Sequence, residues 1–232
     1  MTVANFAPAS TQIPGMDVTG GLRTLVTISR RGPSKRIPVG RPADSATRRT
    51  GILARMRWTV HSEKPLYQDE WLDIRLADIE LPDGRHLEHR LIRTPGGAGC
   101  VTIRDGRVLL LWRHRFITDT WGWEIPVGKI DRGEDPAAAA ARETEEETGW
   151  RPGPLTQLLR IEPTPGISDS AHHIYLADGA ERIGPPEDDF ESDHVSWVPL
   201  AGVPDLISRG EISSGTTLAA LLYALIRQAP GN

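Results

Sequence analysis

The chain has 232 residues, 38% of them apolar and 25% charged, with a formal net charge of −4, so it can bury a sizeable core and remain soluble. Cys100 is the only cysteine, which excludes an internal disulfide and a cysteine-based zinc cage and leaves hard-metal, carboxylate or backbone chemistry. The longest wholly apolar run, 218–226, has nine residues and is too short to cross a bilayer; the opening MTVANFAPAS lacks the basic start and apolar stretch of a secretory signal, so a cytoplasmic location is expected.

Charge divides the chain near Met56. Residues 1–55 carry nine basic and two acidic residues, and the remainder carries 18 basic and 29 acidic. The first segment is rich in Gly, Pro, Ser, Thr and Arg, with LVTI its one candidate strand. Too little apolar surface is available there to offset the entropy of ordering. Residues 1–56 are therefore expected to be a disordered basic extension, either a flexible tail or an upstream extension of a frame beginning at Met56. A nucleic-acid-binding arm or a transit peptide is the alternative.

Residues 57–230 read as the folded domain. WLDIRLADIEL (71–81) alternates at period two, Pro82-Asp83-Gly84 signals a turn, and HLEHRLI (86–92) alternates again, which predicts a β-hairpin. The glycine-rich run 96–99 leads into a strand at CVTI, a turn at Asp105-Gly106 and a buried central strand at VLLLW (108–112). One further segment, 121–127, runs into Gly128. Asp135 as N-cap, Pro136 in the first turn, five alanines and Gly149 at the C-terminal cap predict a helix over 136–148. Beyond it come a strand near 155–162, a loop at TPGISDS (164–170), a strand at HHIYLA (172–177), an acidic loop at 184–193 and a strand at VSWVPL (195–200). Two helices, near 201–209 and 215–228, close the chain. His172 and His173 alternate faces, one packed and one exposed, with no ligand role. The interleaving fits an α/β fold, a mixed sheet with helices packed on it.

Glu143, Glu146 and Glu147 share one face of the predicted helix, and Glu134 stands just before it. Like charges at these spacings cost roughly 0.2–0.5 kcal/mol each, and no lysine lies within 131–150 to relieve them. Clustered oxygen ligands suit Mg²⁺ or Mn²⁺; a solvated acidic face is the alternative.

Written out, Gly128-KIDRG-Glu134-DPAAAAA-Arg142-Glu143-Thr144-Glu145-Glu146-Glu147-Thr148-Gly149-Trp150 resembles the Nudix box, G-x5-E-x7-R-E-U-x-E-E-x-G-U with U a bulky apolar residue, at all seven fixed positions. The departure is Thr144 in the first apolar slot, whose hydroxyl needs a partner. The resemblance, from about 66 to 227 with the box at 128–150, implies a Nudix-type α/β/α sandwich preceded by an N-terminal β-hairpin region. It implies Glu143, Glu146 and Glu147 as ligands of Mg²⁺ (or Mn²⁺), with the Val127 carbonyl as a further ligand. Glu134 would support the helix and metal shell, Arg142 would pair with a box carboxylate, and Gly128 and Gly149 would set backbone shape.

WEIPVGKIDRGEDPAAAAARE (123–143) is similar to the extended signature of ADP-ribose and nucleoside-diphosphate-sugar pyrophosphatases, and Pro165 lies 16 residues beyond Gly149, where that branch carries a marker proline. On that branch Arg115 would bind substrate phosphate and Glu124 would contact ribose or metal-bound water; for each, a strand-edge charge is the alternative. Trp71 would stack on the base across a dimer interface, with a core or interface tryptophan as its alternative, and His89 stands near a second stacking position. In the loop 187–193, Glu191 is the expected general base, with Asp193 second; Glu146 joins them as a catalytic carboxylate. The implied activity is Mg²⁺-dependent hydrolysis of ADP-ribose or a related nucleoside-diphosphate sugar to a nucleoside monophosphate and a sugar phosphate. The enzyme would be a homodimer with exchanged strands from 57–95, without membrane or nucleic-acid partners. Alternatives are another nucleotide substrate, a triphosphate or dinucleotide, or a non-catalytic sensing module, against which all four box glutamates and the lack of a helix-turn-helix pattern in 1–55 argue.

Overall fold

The hairpin read from the sequence supplies the central strand and one edge of a three-stranded sheet. In the computed structural model, which describes residues 56–187 and 192–228, β1 (Thr59–Gln68), β2 (Asp73–Glu80) and β3 (His86–Arg93) pair antiparallel in that order. The Pro82-Asp83-Gly84 turn closes as expected, with Gly84 at φ +82° and its N–H donating to the Leu81 carbonyl at 2.9 Å. β1 had no alternation to reveal it. All of its residues but Glu63 are exposed, and Pro65 is tolerated because the strand is an edge. β2 begins two residues later than predicted, because the Asp69 carboxylate accepts the Trp71 and Leu72 N–H groups at 2.8 and 2.9 Å and holds Trp71 in the turn. The expectations for residues 1–55 lie outside the described residues.

The second sheet is mixed. It contains β4 (Gly97–Arg104), β5 (Arg107–Arg115), β6 (Thr120–Glu124), β7 (Val127–Lys129), β9 (Leu155–Ile161), β10 (His172–Asp178) and β12 (His194–Pro199), in the order β12-β5-β4-β10-β9 with β6 on β5 and β7 on β4. β4 and β10 are parallel; the other pairs are antiparallel. The two short strands β8 (Trp150–Pro152) and β11 (Ala180–Arg182) pair separately; three residues are too few to display a period.

Burial explains the layering. Val108 to Leu111 on β5 are completely buried, each such side chain contributing roughly 1.5–3 kcal/mol. β4 presents alternate residues to opposite layers. Val101 and Ile103 join Leu206, Leu221 and Ala224 from helices α2 (Val203–Ser208) and α3 (Gly215–Gln228), whereas Ala98 packs with Ala139 and Ala140 of α1 (Pro136–Thr148). The alanines of α1 permit this approach. The glycine-rich run extends β4 rather than preceding it, since a Cβ at Gly99 would lie 2.3 Å from Val127 Cγ2 on the neighbouring β7. The segment 121–127 is two strands, separated where buried Ile125 is followed by Pro126. Both His172 and His173 are partly buried, so neither is the exposed member expected. Among the described residues, no helix is long and apolar enough to cross a membrane.

Candidate active site

Helix α1 is locally well specified. Asp135 accepts the Ala137 and Ala138 N–H groups at 2.9 and 3.2 Å, and Gly149 at φ +70° donates its N–H to the Glu145 carbonyl. The Thr144 hydroxyl, the departure noted in the sequence, is buried and donates to the Ala140 carbonyl at 2.6 Å. The helix therefore holds its acidic face in one orientation.

That face gathers around a guanidinium. Arg142 donates through Nη1 to Glu143 Oε1 and Glu146 Oε2, both at 2.8 Å, and through Nε and Nη2 to Glu134 at 2.9 and 3.0 Å. Its Nη2 also donates to the Lys129 carbonyl at 3.0 Å. These partners, Glu134 first, raise the Arg142 pKa, and the same bond together with the Asp131 N–H keeps the Glu134 carboxyl below its ordinary range. Glu143 lies directly over β7, where a Cβ at Gly128 would stand 1.9 Å from its carboxylate carbon.

Glu147 points elsewhere. It is 6% exposed, with Oε1 2.9 Å from Nη2 of Arg113, itself 3% exposed, and Oε2 accepting the Val127 N–H at 3.2 Å. Glu143, 14% exposed, and Glu146, 35% exposed, thus form a partly covered carboxylate pair above a buried, ion-paired third. These donors are all hard oxygens, and the space kept open at Gly128 is filled by one of them, so the set suits Mg²⁺ or Mn²⁺. Glu143 and Glu146 would hold such an ion, with Glu147 joining only on leaving Arg113.

A cavity of about 310 Å³ opens beside this face, lined by Gly97, Arg115, Glu124, Gly128, Lys129 and His172 among others. Arg115 donates twice to Glu124, at 3.1 and 2.5 Å. His172 Nδ1 lies 2.9 Å from the Thr216 hydroxyl, and burial lowers its pKa. Thr94 and Pro95 join this cavity to a recess of about 210 Å³ beside Trp71. Arg93 and Asp169 join that recess in turn to a cavity of about 490 Å³ containing His89 and Pro165. The three adjoin as a segmented groove whose neighbouring parts share walls, the Arg93–Asp169 ion pair among them, with Lys129 Nζ 4.9 Å from the centre of the Trp71 ring.

Residues 93–221 match the NUDIX domain, and residues 58–92 match the nucleoside diphosphate sugar hydrolase N-terminal domain. The chain belongs to the Nudix hydrolase family. This Nudix enzyme is 44% identical over 182 residues to the CMP-5′-(N-acetyl-N-hydroxy-3-aminopropyl)phosphonate hydrolase of Streptomyces rubellomurinus, covering 76% of this chain and 88% of that protein. It is 28% identical over 173 residues to the ADP-ribose pyrophosphatase of Bacillus subtilis, covering 72% and 92%. Its fold is similar to that of an ADP compounds hydrolase in a crystal structure, with a TM-score of 0.65 at 22% identity over 74% of this chain and 94% of the other.

Within the Nudix framework, the residues singled out in the sequence fall into three groups. Gly128, Glu134, Arg142, Glu143 and Glu146 come together at the box, with Gly149 closing its helix and Val127 bonding Glu147 beneath. Arg115 and Glu124 line the cavity beside the box, Trp71 the adjoining recess, and His89 and Pro165 the third cavity. Asp193 lies in a separate recess with Thr148 and Arg182, its carboxylate 2.8 Å from His194 Nδ1, and Glu191 lies outside the described residues. Sequence reasoning missed Arg113, Lys129 and His172. Arg113 had a signal: it continues the inward series Leu109, Leu111 of a buried strand, where a charge demands a partner. Lys129 and His172 had none, because their contacts, with Trp71 and Thr216, come from segments distant in sequence.

Proposed function

We propose that this Nudix enzyme hydrolyses the P–O–P linkage of ADP-ribose or a related nucleoside-diphosphate sugar, releasing a nucleoside monophosphate and a sugar phosphate. In this reading it is a Mg²⁺-dependent cytoplasmic homodimer, Mn²⁺ substituting, whose catalytic domain spans 57–230 with 1–56 as an extension dispensable for turnover. The observation that carries the proposal is a juxtaposition: Glu143 lies against Gly128 in the wall of the cavity that holds Arg115 and Lys129, and Lys129 stands over the exposed Trp71 ring. Such an arrangement suits a ligand whose central diphosphate lies at the box with a ring-bearing group to one side.

The residues divide the task. Glu143 and Glu146 hold the cation, Arg142 keeps their carboxylates in register, and Glu147 is anchored below by Arg113. A bound Mg²⁺ supplies charge neutralisation at the phosphoryl oxygens and acidifies water. Arg115, oriented by Glu124, binds a phosphoryl oxygen as a planar fork. The face of Trp71 on which Lys129 now rests offers a stacking surface that a base would take in place of the ammonium group. One water oxygen bonds to phosphorus, the bridging P–O bond breaks with its oxygen staying on the departing phosphate, and the water proton passes to Glu191; Asp193, held by His194 in its separate recess, serves only on leaving that contact.

A second reading is favoured by the 44% identity to the CMP-phosphonate hydrolase: the group beyond the anhydride is a phosphonate and the base is cytosine. His89, a smaller stacking surface than an indole, accords with a pyrimidine. The test is a screen of ADP-ribose, UDP- and CDP-sugars, a CMP-phosphonate, nucleoside triphosphates and dinucleotides with Mg²⁺, reading the released nucleoside monophosphate. Glu146→Gln should lower kcat about 100-fold or more. Release from none of the diphosphate conjugates or the phosphonate would refute the proposal, and turnover of the phosphonate alone would select the second reading.

A further inference from the structure

A second group of metal-ligating side chains lies on the N-terminal sheet, in a different sheet from the box strand β7. His61, Glu80 and His86 each offer a ligand atom, and these atoms all lie within 4.8 Å of one another. Each comes from a different strand. Glu80 on β2 stands directly opposite His86 on β3, while the register shift between Val60 and Ser62 of β1 falls at His61. His61 Nε2 is already 2.6 Å from Glu80 Oε2, and the two imidazoles stack with centroids 5.0 Å apart. Asp78 Oδ1 lies 2.8 Å from His86 Nδ1, which leaves Nε2 of that ring as the nitrogen free to ligate. All three ligand side chains are between 38% and 51% exposed.

We propose that His61, Glu80 and His86 bind a divalent ion of the imidazole-preferring class, Zn²⁺ foremost, and that this ion staples the three strands of the N-terminal sheet. Two imidazoles and one carboxylate, with a fourth position open to water, are a zinc-type donor set, whereas the all-oxygen box suits Mg²⁺. A tetrahedral ion holds its ligands at about 2.0–2.1 Å. Its ligand atoms then stand about 3.3 Å from one another, so the His61–Glu80 pair at 2.6 Å would open slightly and separations up to 4.8 Å would close, shifts within the reach of exposed side chains. The ion would tie the edge strand β1, which buries little surface of its own, to the hairpin behind it.

The test is calorimetric titration of the untagged, chelator-treated full chain with Zn²⁺ in excess Mg²⁺, with hydrogen exchange as a second readout. One Zn²⁺ per chain is expected to bind and to increase protection of the β1 amides. His61→Ala and His86→Ala should each weaken binding at least tenfold, and Asp78→Asn, which keeps the shape, about 10–100-fold. The double variant Glu143→Gln/Glu146→Gln should bind Zn²⁺ at the sheet unchanged. Zn²⁺ affinity that survives His61→Ala and His86→Ala together, or that disappears with the box variant, overturns the proposal; so does the absence of binding to the unsubstituted chain.

Discussion

At Gly128 the missing side chain is filled by another residue's carboxylate. A methyl group there would collide with Glu143 Cδ and both carboxylate oxygens, but these atoms end a flexible side chain and can swing aside. Gly128→Ala is therefore expected to lower kcat at least tenfold while shifting stability by less than about 1 kcal/mol, checked by steady-state kinetics beside a melting curve. Glu146 and Glu147 are neighbours in sequence with opposite fates. Glu146 is 35% exposed, so Glu146→Gln should leave the melting temperature nearly unchanged. Glu147 is buried against Arg113, and removing one partner of a buried ion pair costs about 3–5 kcal/mol. Glu147→Gln should lower Tm by roughly 10 °C, and adding Arg113→Met should recover part of that loss. An unchanged Tm for Glu147→Gln would mean that the pair does not anchor the helix. The spacing of the glutamates was legible in the sequence; which of them faces solvent was not, since that depends on where β5 delivers an arginine.

The elements that announced themselves are those whose ends carry their own chemistry. Helix α1 has a side-chain cap, a proline in its first turn and a left-handed glycine at its end, all local features. Asp135→Ala should cost about 1 kcal/mol. Gly149→Ala should cost about 2 kcal/mol or more, because a Cβ at that positive φ would also lie 2.2 Å from the Gly184 carbonyl oxygen, a backbone atom that cannot swing away. Urea unfolding of both variants checks the order; equal losses would contradict it. The β2–β3 hairpin was legible for the same reason, with turn residues between two alternating strands. β1 was not, because an exposed edge strand needs no apolar alternation, and β8 and β11 were too short to have a period. The glycine-rich start of β4 concealed a strand because its glycines answer to the close approach of β7.

For the whole molecule, the surface of the N-terminal sheet bears on the proposed assembly. Trp58, Val60, Leu66, Tyr67 and Trp71 are all at least half exposed, an apolar series at and beside one edge strand that suits pairing between copies. Light scattering of the full chain should give twice the 25.5 kDa of one chain. Val60→Asp/Leu66→Asp should shift the mass to the monomer, and a monomeric unsubstituted chain would remove the homodimer from the proposed function. The sequence by itself determined the box: its glycines, caps and glutamate spacing act within about twenty residues, where helix geometry alone decides which side chains share a face. Only the tertiary structure decided the groove and the anchoring of Glu147. Arg113 and Arg115 of β5, Lys129 of β7, His172 of β10 and Trp71 of the β1–β2 turn come from four separate elements, and packing, not local periodicity, determines which of them meet.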